Sequence, residues 1–351
     1  MWCGRFFVFG GVPDISPQSP AAYFPLRSGR YTVTPSLHRL GTDFGNGERD
    51  ACLFQFDREF PRFRENKRRC RSERFLKYVR AANLPDDVEQ AAVRVLSERL
   101  VTEYPGLFSW VGEPSEGHLL LCRLTGELLR FDSQRRLVEV TGADSCVAPT
   151  YTDSLDALCC QFPEDLAIIC RDPTTGDDRL AFLHLCAPSH WAAEEKIGRS
   201  WSATHAPVPN MEKSRDAAAS IVRVMIEREP MVRFTWGIEF DDLLNHHPEP
   251  PPTIPAAAWN HRGRRLTDAE PFYLRVERQV IWGLPGVDAS LFTIRVYHTP
   301  GSAICADAGK REALSRALRS MSAESRRYKG LENCVGDVLA RLSDLSGAAG
   351  S

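Results

Sequence analysis

Two strand–turn–strand blocks constrain this chain more than anything else in it. Residues 164–170 (EDLAIIC) and 179–186 (RLAFLHLC) are short apolar runs either side of Asp172-Pro-Thr-Thr-Gly-Asp, a run of turn-forming residues. Residues 272–282 (FYLRVERQVIW) and 290–298 (SLFTIRVYH) repeat the arrangement around Gly283-Leu-Pro-Gly. Connections this short join antiparallel strands; a parallel pair needs a crossover of a dozen residues or more. Helical periodicity lies mainly before and after the strands: residues 60–80 and Asp86–Tyr104 ahead of them, Lys213–Arg228 among them, and about 309–321 and 323–343 behind. There is no βαβ alternation and no G-x-G-x-x-G after a strand, which argues against a dinucleotide-binding half. The expectation is an α+β protein built on an antiparallel sheet with flanking helices.

The remaining segments fill in that frame. In residues 86–104, Val88, Ala91, Val95, Leu96, Leu100 and Val101 recur on one side, with Pro85 near the start and Pro105-Gly106 as the stop. Residues 60–80 carry nine Arg or Lys side chains, yet Glu65 and Glu73 interrupt the run, and the net charge is −2. That pattern reads as a helix with a solvated charged face rather than a nucleic-acid surface. His118–Leu124, Leu137–Val140 and Met231–Phe240 read as strands, and Leu155–Phe162 fits strand or helix equally. Residues 246–255 (HHPEPPPTIP) read as a polyproline connector that leaves His246-His247 exposed. Residues 1–50, rich in proline and glycine, are expected to be an irregular arm, with Phe44-Gly45-Asn46-Gly47 a tight turn rather than a phosphate loop. Residues 51–345 then form one domain, and 346–351 a frayed tail.

Composition narrows the class. The eleven cysteines contain no C-x-x-C pair, which argues against a zinc ribbon, an iron–sulfur run or a thioredoxin site. Several lie in apolar runs as small hydrophobes, as expected of a reducing compartment. The apolar run in MWCGRFFVFGG is too short for a signal peptide, and no segment has the length of a membrane span. A soluble cytoplasmic protein without nucleic-acid or membrane partners is expected. G-x-S-x-G and H-E-x-x-H are both missing.

Candidate chemistry concentrates in residues 180–210, LAFLHLCAPSHWAAEEKIGRSWSATHAPVPN, which begin as a strand, break at Pro188-Ser189, continue as an amphipathic helix and end in a stiff turn. His205 stands just before Pro207 and Pro209, whose fixed φ angles stiffen the backbone around it. A neutral imidazole so displayed suits a haem iron, and a buried histidine bonded to backbone is the plainer alternative. His184, on the apolar strand, and His190, at the helix start, are competing candidates. On the 231–240 strand, Arg233 has the paired N–H groups to hold a carboxylate, and Trp236 lies close in sequence; an ordinary surface arginine is the alternative. On the 272–282 strand, Tyr273, Arg275, Glu277 and Gln279 share one face. If that face lines a cavity, Glu277 fits an alkylammonium and can accept its proton; otherwise it belongs to a solvated ladder.

Taken together, PSHWAAEEKIGRSWSATHAPVP (188–209), RFTWGIEF (233–240), LRVERQVIWGLP (274–285) and LFTIRVYHTP (291–300) resemble the haem-dependent oxidative N-demethylase alpha subunit family. The segments at 40–69 and 100–108 fit the same resemblance, which extends over roughly residues 30–340. It implies a PAS-like antiparallel sheet holding haem b, and oxidation of a small secondary amine such as dimethylamine by O₂ with release of formaldehyde. By motif match, His205 is the axial iron ligand, and Arg233 and Glu277 face the distal pocket. Lys196 and Trp191, with Trp236, shape the pocket or meet the propionates. This chain departs from the family's R-x-N-W pattern, carrying Thr235 where an asparagine is usual. It also carries no flavin, NADPH or iron–sulfur motif, so the implied electrons come from a partner reductase. The alternative expectation is a non-catalytic haem-binding sensor or interaction module of the same fold.

Overall fold

The computed structural model of the chain describes residues 18–34, 36–112, 118–142, 149–259, 262–267 and 270–344. The expected tail at 346–351 and the first 17 residues of the expected arm lie outside them. In chain order the elements are β1 (His38–Arg39), α1 (Phe60–Tyr78), β2 (Val79–Ala81), α2 (Asp86–Glu103), β3 (Phe108–Val111), β4 (His118–Cys122), β5 (Glu127–Phe131) and β6 (Leu137–Gly142). Then follow α3 (Ser154–Cys159), β7 (Asp165–Arg171), β8 (Asp178–His184), α4 (Ala193–Lys196), α5 (Trp201–Thr204), α6 (Glu212–Asp216), α7 (Ala218–Glu227) and β9 (Met231–Glu239). The chain continues through α8 (Ala256–Trp259), β10 (Tyr273–Leu284), β11 (Ala289–Pro300), α9 (Gly301–Ala306), α10 (Ala308–Arg319), α11 (Ala323–Tyr328) and α12 (Val335–Asp344).

The architecture is α+β. A seven-stranded sheet runs in the order β1-β9-β10-β11-β7-β8-β2, and a four-stranded sheet in the order β3-β4-β5-β6. Every described pairing within them is antiparallel. The two hairpins expected from turn chemistry are both present, β7 with β8 and β10 with β11, the latter in unbroken register from Tyr273↔Pro300 to Leu284↔Ala289. Alternation places Val232, Val280, Leu291 and Ile168 on one face, packed with α2, α3 and the small sheet in the largest apolar cluster. Farther along that face, Leu274, Val276 and Tyr297 pack with the C-terminal helices. On the opposite face Ile281, Ala167 and Ile169 pack against Trp201, Met211, Val222, Met225 and Ile226. The second face carries the candidate site.

Several expectations need correction. The basic helix α1 does not present one solvated face: Lys67, Arg71 and Lys77 are buried. Their charges are met inside, Lys67 Nζ donating to the carbonyls of Cys159 and Phe162 at 2.6 and 2.9 Å, and Arg71 pairing with buried Asp156. The helix expected after Pro188-Ser189 is two single turns, α4 and α5, because Gly198 at φ 77° ends one and the Ser200 side chain caps the next by accepting from Ala203 N. Residues 213–228 are likewise split at Ala217, and residues 323–343 at Gly330, whose φ is 70°. Of residues 155–162, the first five lie in helix α3 and 160–162 form a turn after it; Asp153 starts the helix by accepting from Asp156 N at 2.8 Å. Strands β2, β3 and β5 carry too few alternating residues to stand out in the sequence.

His246 and His247, expected to be exposed, are 5% and 2% exposed. The backbone explains it: His190 N donates to His246 O, and His246 N to Pro188 O, each at 3.0 Å. This tie draws the proline-rich connector inward. The 44–47 turn is as expected, with Phe44 N donating to the Asp50 carboxylate at 2.7 Å. The cysteines among the described residues are free thiols, all but Cys52 buried. Among the described residues, no helix is long and apolar enough to cross a membrane.

Candidate functional site

Adjacent strands β9 and β10 build the floor. Their register sets Thr235 opposite Glu277 and Arg233 opposite Gln279, so all four side chains share one face. The Glu277 carboxylate accepts from Thr235 Oγ1 at 3.1 Å and from Gln279 Nε2 at 3.0 Å, and Arg275 Nη2 stands 3.6 Å away. The Thr235 hydroxyl donates to the glutamate, as an amide side chain in its place could. With its side chain only 12% exposed and Arg275 buried beside it, Glu277 is no member of a solvated ladder. Arg233 is not an ordinary surface arginine either, because its guanidinium Nε is buried without a hydrogen-bond partner. Burial lowers the Arg233 pKa, and the charge of Glu277 opposes that.

The wall comes from residues 191–209. His205 follows α5, and its ring stacks on Trp201 with centroids 4.2 Å apart. His205 Nδ1 lies 2.8 Å from the Trp201 carbonyl, which can only accept, so Nδ1 carries the hydrogen and Nε2 the lone pair. Burial pushes the His205 pKa down to about 4, against the Trp201 hydrogen bond and with help from the charges of Lys196 and Arg233. At neutral pH the ring is uncharged. Lys196 lies over the Trp191 ring at 4.6 Å and donates to Thr204 O at 3.3 Å. Its pKa too is lowered by burial, and Glu277 is among the charges that oppose the shift.

His205, Lys196, Trp191, Arg233 and Glu277 are thus brought together. Trp236 is not: its ring lies on the opposite face, edge-on to Tyr31 at 5.7 Å. His184 is a core residue 3.4 Å from Asp156, and His190 faces Glu239 instead. Sequence reasoning missed Lys329, which donates to the Trp236 carbonyl at 2.6 Å and is felt electrostatically by Glu277 and Glu239. Its only signal was the helix break at Gly330, which places the end of α11 against β9.

The arrangement has more cationic than anionic groups around Glu277, an uncharged imidazole with a free Nε2, and apolar walls from Trp201, Met211, Ile281 and Met231. These residues fit a haem: a nitrogen ligand, an orphaned arginine for a propionate or a polar ligand, and an apolar lining. The fold and the site define a group of largely buried ligating and charged side chains beside an apolar cluster on one face of an antiparallel sheet. A model of the family described as haem-dependent oxidative N-demethylase, alpha subunit-like matches residues 48–339, and the chain belongs to that family. The description as an alpha subunit implies a partner subunit.

Proposed function

We propose that residues 51–345 form one haem b-binding domain on a PAS-like sheet, and that it demethylates a small secondary amine resembling dimethylamine. The observation that carries this reading is the tautomer of His205, whose Nδ1–H is committed to Trp201 while Nε2 stays free near Arg233. His205 would hold the haem there, and the group would supply activation of O₂ once reduced. Overall, amine, O₂, two electrons and two protons give the demethylated amine, formaldehyde and water.

The chain's own residues do the rest. Glu277 pairs with the alkylammonium and takes its proton, leaving the nitrogen neutral; Thr235 and Gln279 hold the carboxylate in one orientation. Arg233 offers donors to an oxygen ligand or a propionate, and Trp191 under Lys196 closes the wall. Electrons come from the partner subunit, through a flavin and an iron–sulfur centre that this chain has no motif to hold.

Absorption spectroscopy tests the cofactor and formaldehyde release tests the reaction. The purified chain should show a Soret band that survives gel filtration and is lost or shifted in His205→Ala. A chain that stays colourless after reconstitution with haemin overturns the reading. Reduced protein with O₂ and a panel of secondary amines should release formaldehyde. If haem binds but no amine turns over, the chain is a haem-binding sensor.

A further inference from the structure

A second convergence of ligating side chains lies beyond the haem site on the same sheet face. His190, Glu239 and His246 each bring one ligand-capable atom within 4.8 Å of the others. Glu239 ends β9 in the alternation that also places Arg233 and Thr235, and about 13 Å of extended strand separates it from Thr235. The two histidines come from distant segments locked together by the Ser189↔His246 bridge, so their spacing is set by backbone rather than by side-chain chance.

The hydrogen bonding is incomplete in one place. His190 Nε2 lies 3.0 and 3.1 Å from the two Glu239 oxygens. His246 Nε2 lies 2.9 Å from Asp241 Oδ1, an acceptor, which puts the hydrogen on Nε2. His246 is 5% exposed, and its Nδ1 is buried with no hydrogen-bond partner. A buried polar atom left so is costly. The His190–Glu239 and His246–Asp241 contacts, both made through Nε2, leave that buried atom without a partner. A cavity of about 90 Å³ adjoins it, lined by His190, His246, His247, Pro248, Trp259 and Arg262.

We propose that His190, Glu239 and His246 bind a divalent transition-metal cation of the zinc or ferrous class, with the cavity holding its exchangeable ligand. Two imidazoles and a carboxylate are the donor set such ions favour, at bonds of about 2.0–2.2 Å. Asp241 is the outer partner that orients a ligating histidine. Arg262 in the cavity wall disfavours a bare dication, so the open position takes an anionic ligand such as hydroxide or a carboxylate. Two other clusters, Asp156/Cys160/His184 and Asp165/His184/Cys186, are fully buried and already committed. Asp156 pairs with Arg71, and Asp165 accepts from Cys186 N and Ala187 N at 2.9 and 2.7 Å.

The full chain as purified, stripped of loose ions with a chelator, is titrated with Zn²⁺ by calorimetry, and zinc is counted by mass spectrometry after desalting. One equivalent should bind. His246→Ala and Glu239→Gln should each weaken binding by more than ~10-fold, and Asp241→Asn by about 10-fold. His190→Ala, at a more exposed position, serves if His246→Ala does not fold. Zn²⁺ should raise the unfolding temperature of the parent chain and of none of the ligand variants. Absence of stoichiometric zinc, or equal binding by the parent and the ligand variants, overturns the proposal. Because zinc is what is counted, neither result depends on the haem reading.

Discussion

An imidazole that is to meet a metal ion must arrive uncharged, and for His205 burial does this before any ligand is present. Its pKa of about 4 lies below the ordinary 6.5, so between these values the unfolded chain takes up a proton that the folded chain refuses. Stability of the haem-free protein should therefore rise with pH across that window and fall as pH drops from 6.5 toward 4. Urea midpoints for the parent and His205→Gln should diverge there and run parallel above pH 7. Thr235 makes a second residue-scale prediction. Thr235→Val removes one of two neutral donors to Glu277 and should weaken amine binding by roughly 1 kcal/mol, about fivefold, whereas Thr235→Asn should restore it. Amine-induced shifts of the haem spectrum measure both. His205, Arg233 and Glu277 were legible because each breaks a local pattern: a histidine before paired prolines, and charges in mid-strand. Lys329 was not legible, since Gly330 beside it marks a helix end without saying which strand that end meets.

Elements were readable where period and punctuation agree. Helix α2 and both hairpins match their expected limits closely, because a repeated apolar stripe or a turn of special residues is a local property. The failures share a different cause. Single glycines at positive φ end α4 and separate α11 from α12, and a pattern search reads through them. Helix α1 failed because composition counts charges without saying which are buried. Its Arg71–Asp156 pair makes the point measurable: Asp156→Ala strands a buried guanidinium and should cost about 3 kcal/mol or more in urea unfolding. Helix α7 makes another. It crosses β10 at Gly283, where any Cβ would strike the backbone carbonyl of Ile226. Gly283→Ala should push α7 off the sheet and cost about 1–3 kcal/mol, seen as a lowered thermal midpoint.

Across the whole molecule, the site draws on residues from 191 to 329, so a ligand that fills it ties together segments far apart in sequence. Haem should stabilise the fold by mass action, about 2.7 kcal/mol at a hundredfold excess over its dissociation constant. The thermal midpoint should climb with haem concentration in the parent chain and stay flat in His205→Ala. The borders of the large sheet carry a separate consequence. One border strand, β1, has two residues and the other, β2, has three. Beyond β1, Lys329 occupies the Trp236 carbonyl; beside β2, Gly198 N and Arg199 O close the backbone of Leu180. These contacts shorten the borders, and the outer side of β9 beyond Val232 is the longest stretch that β1 leaves uncovered. Growth of the sheet is thereby hindered at the β2 border, and a companion strand that extended the ladder would have to enter along β9.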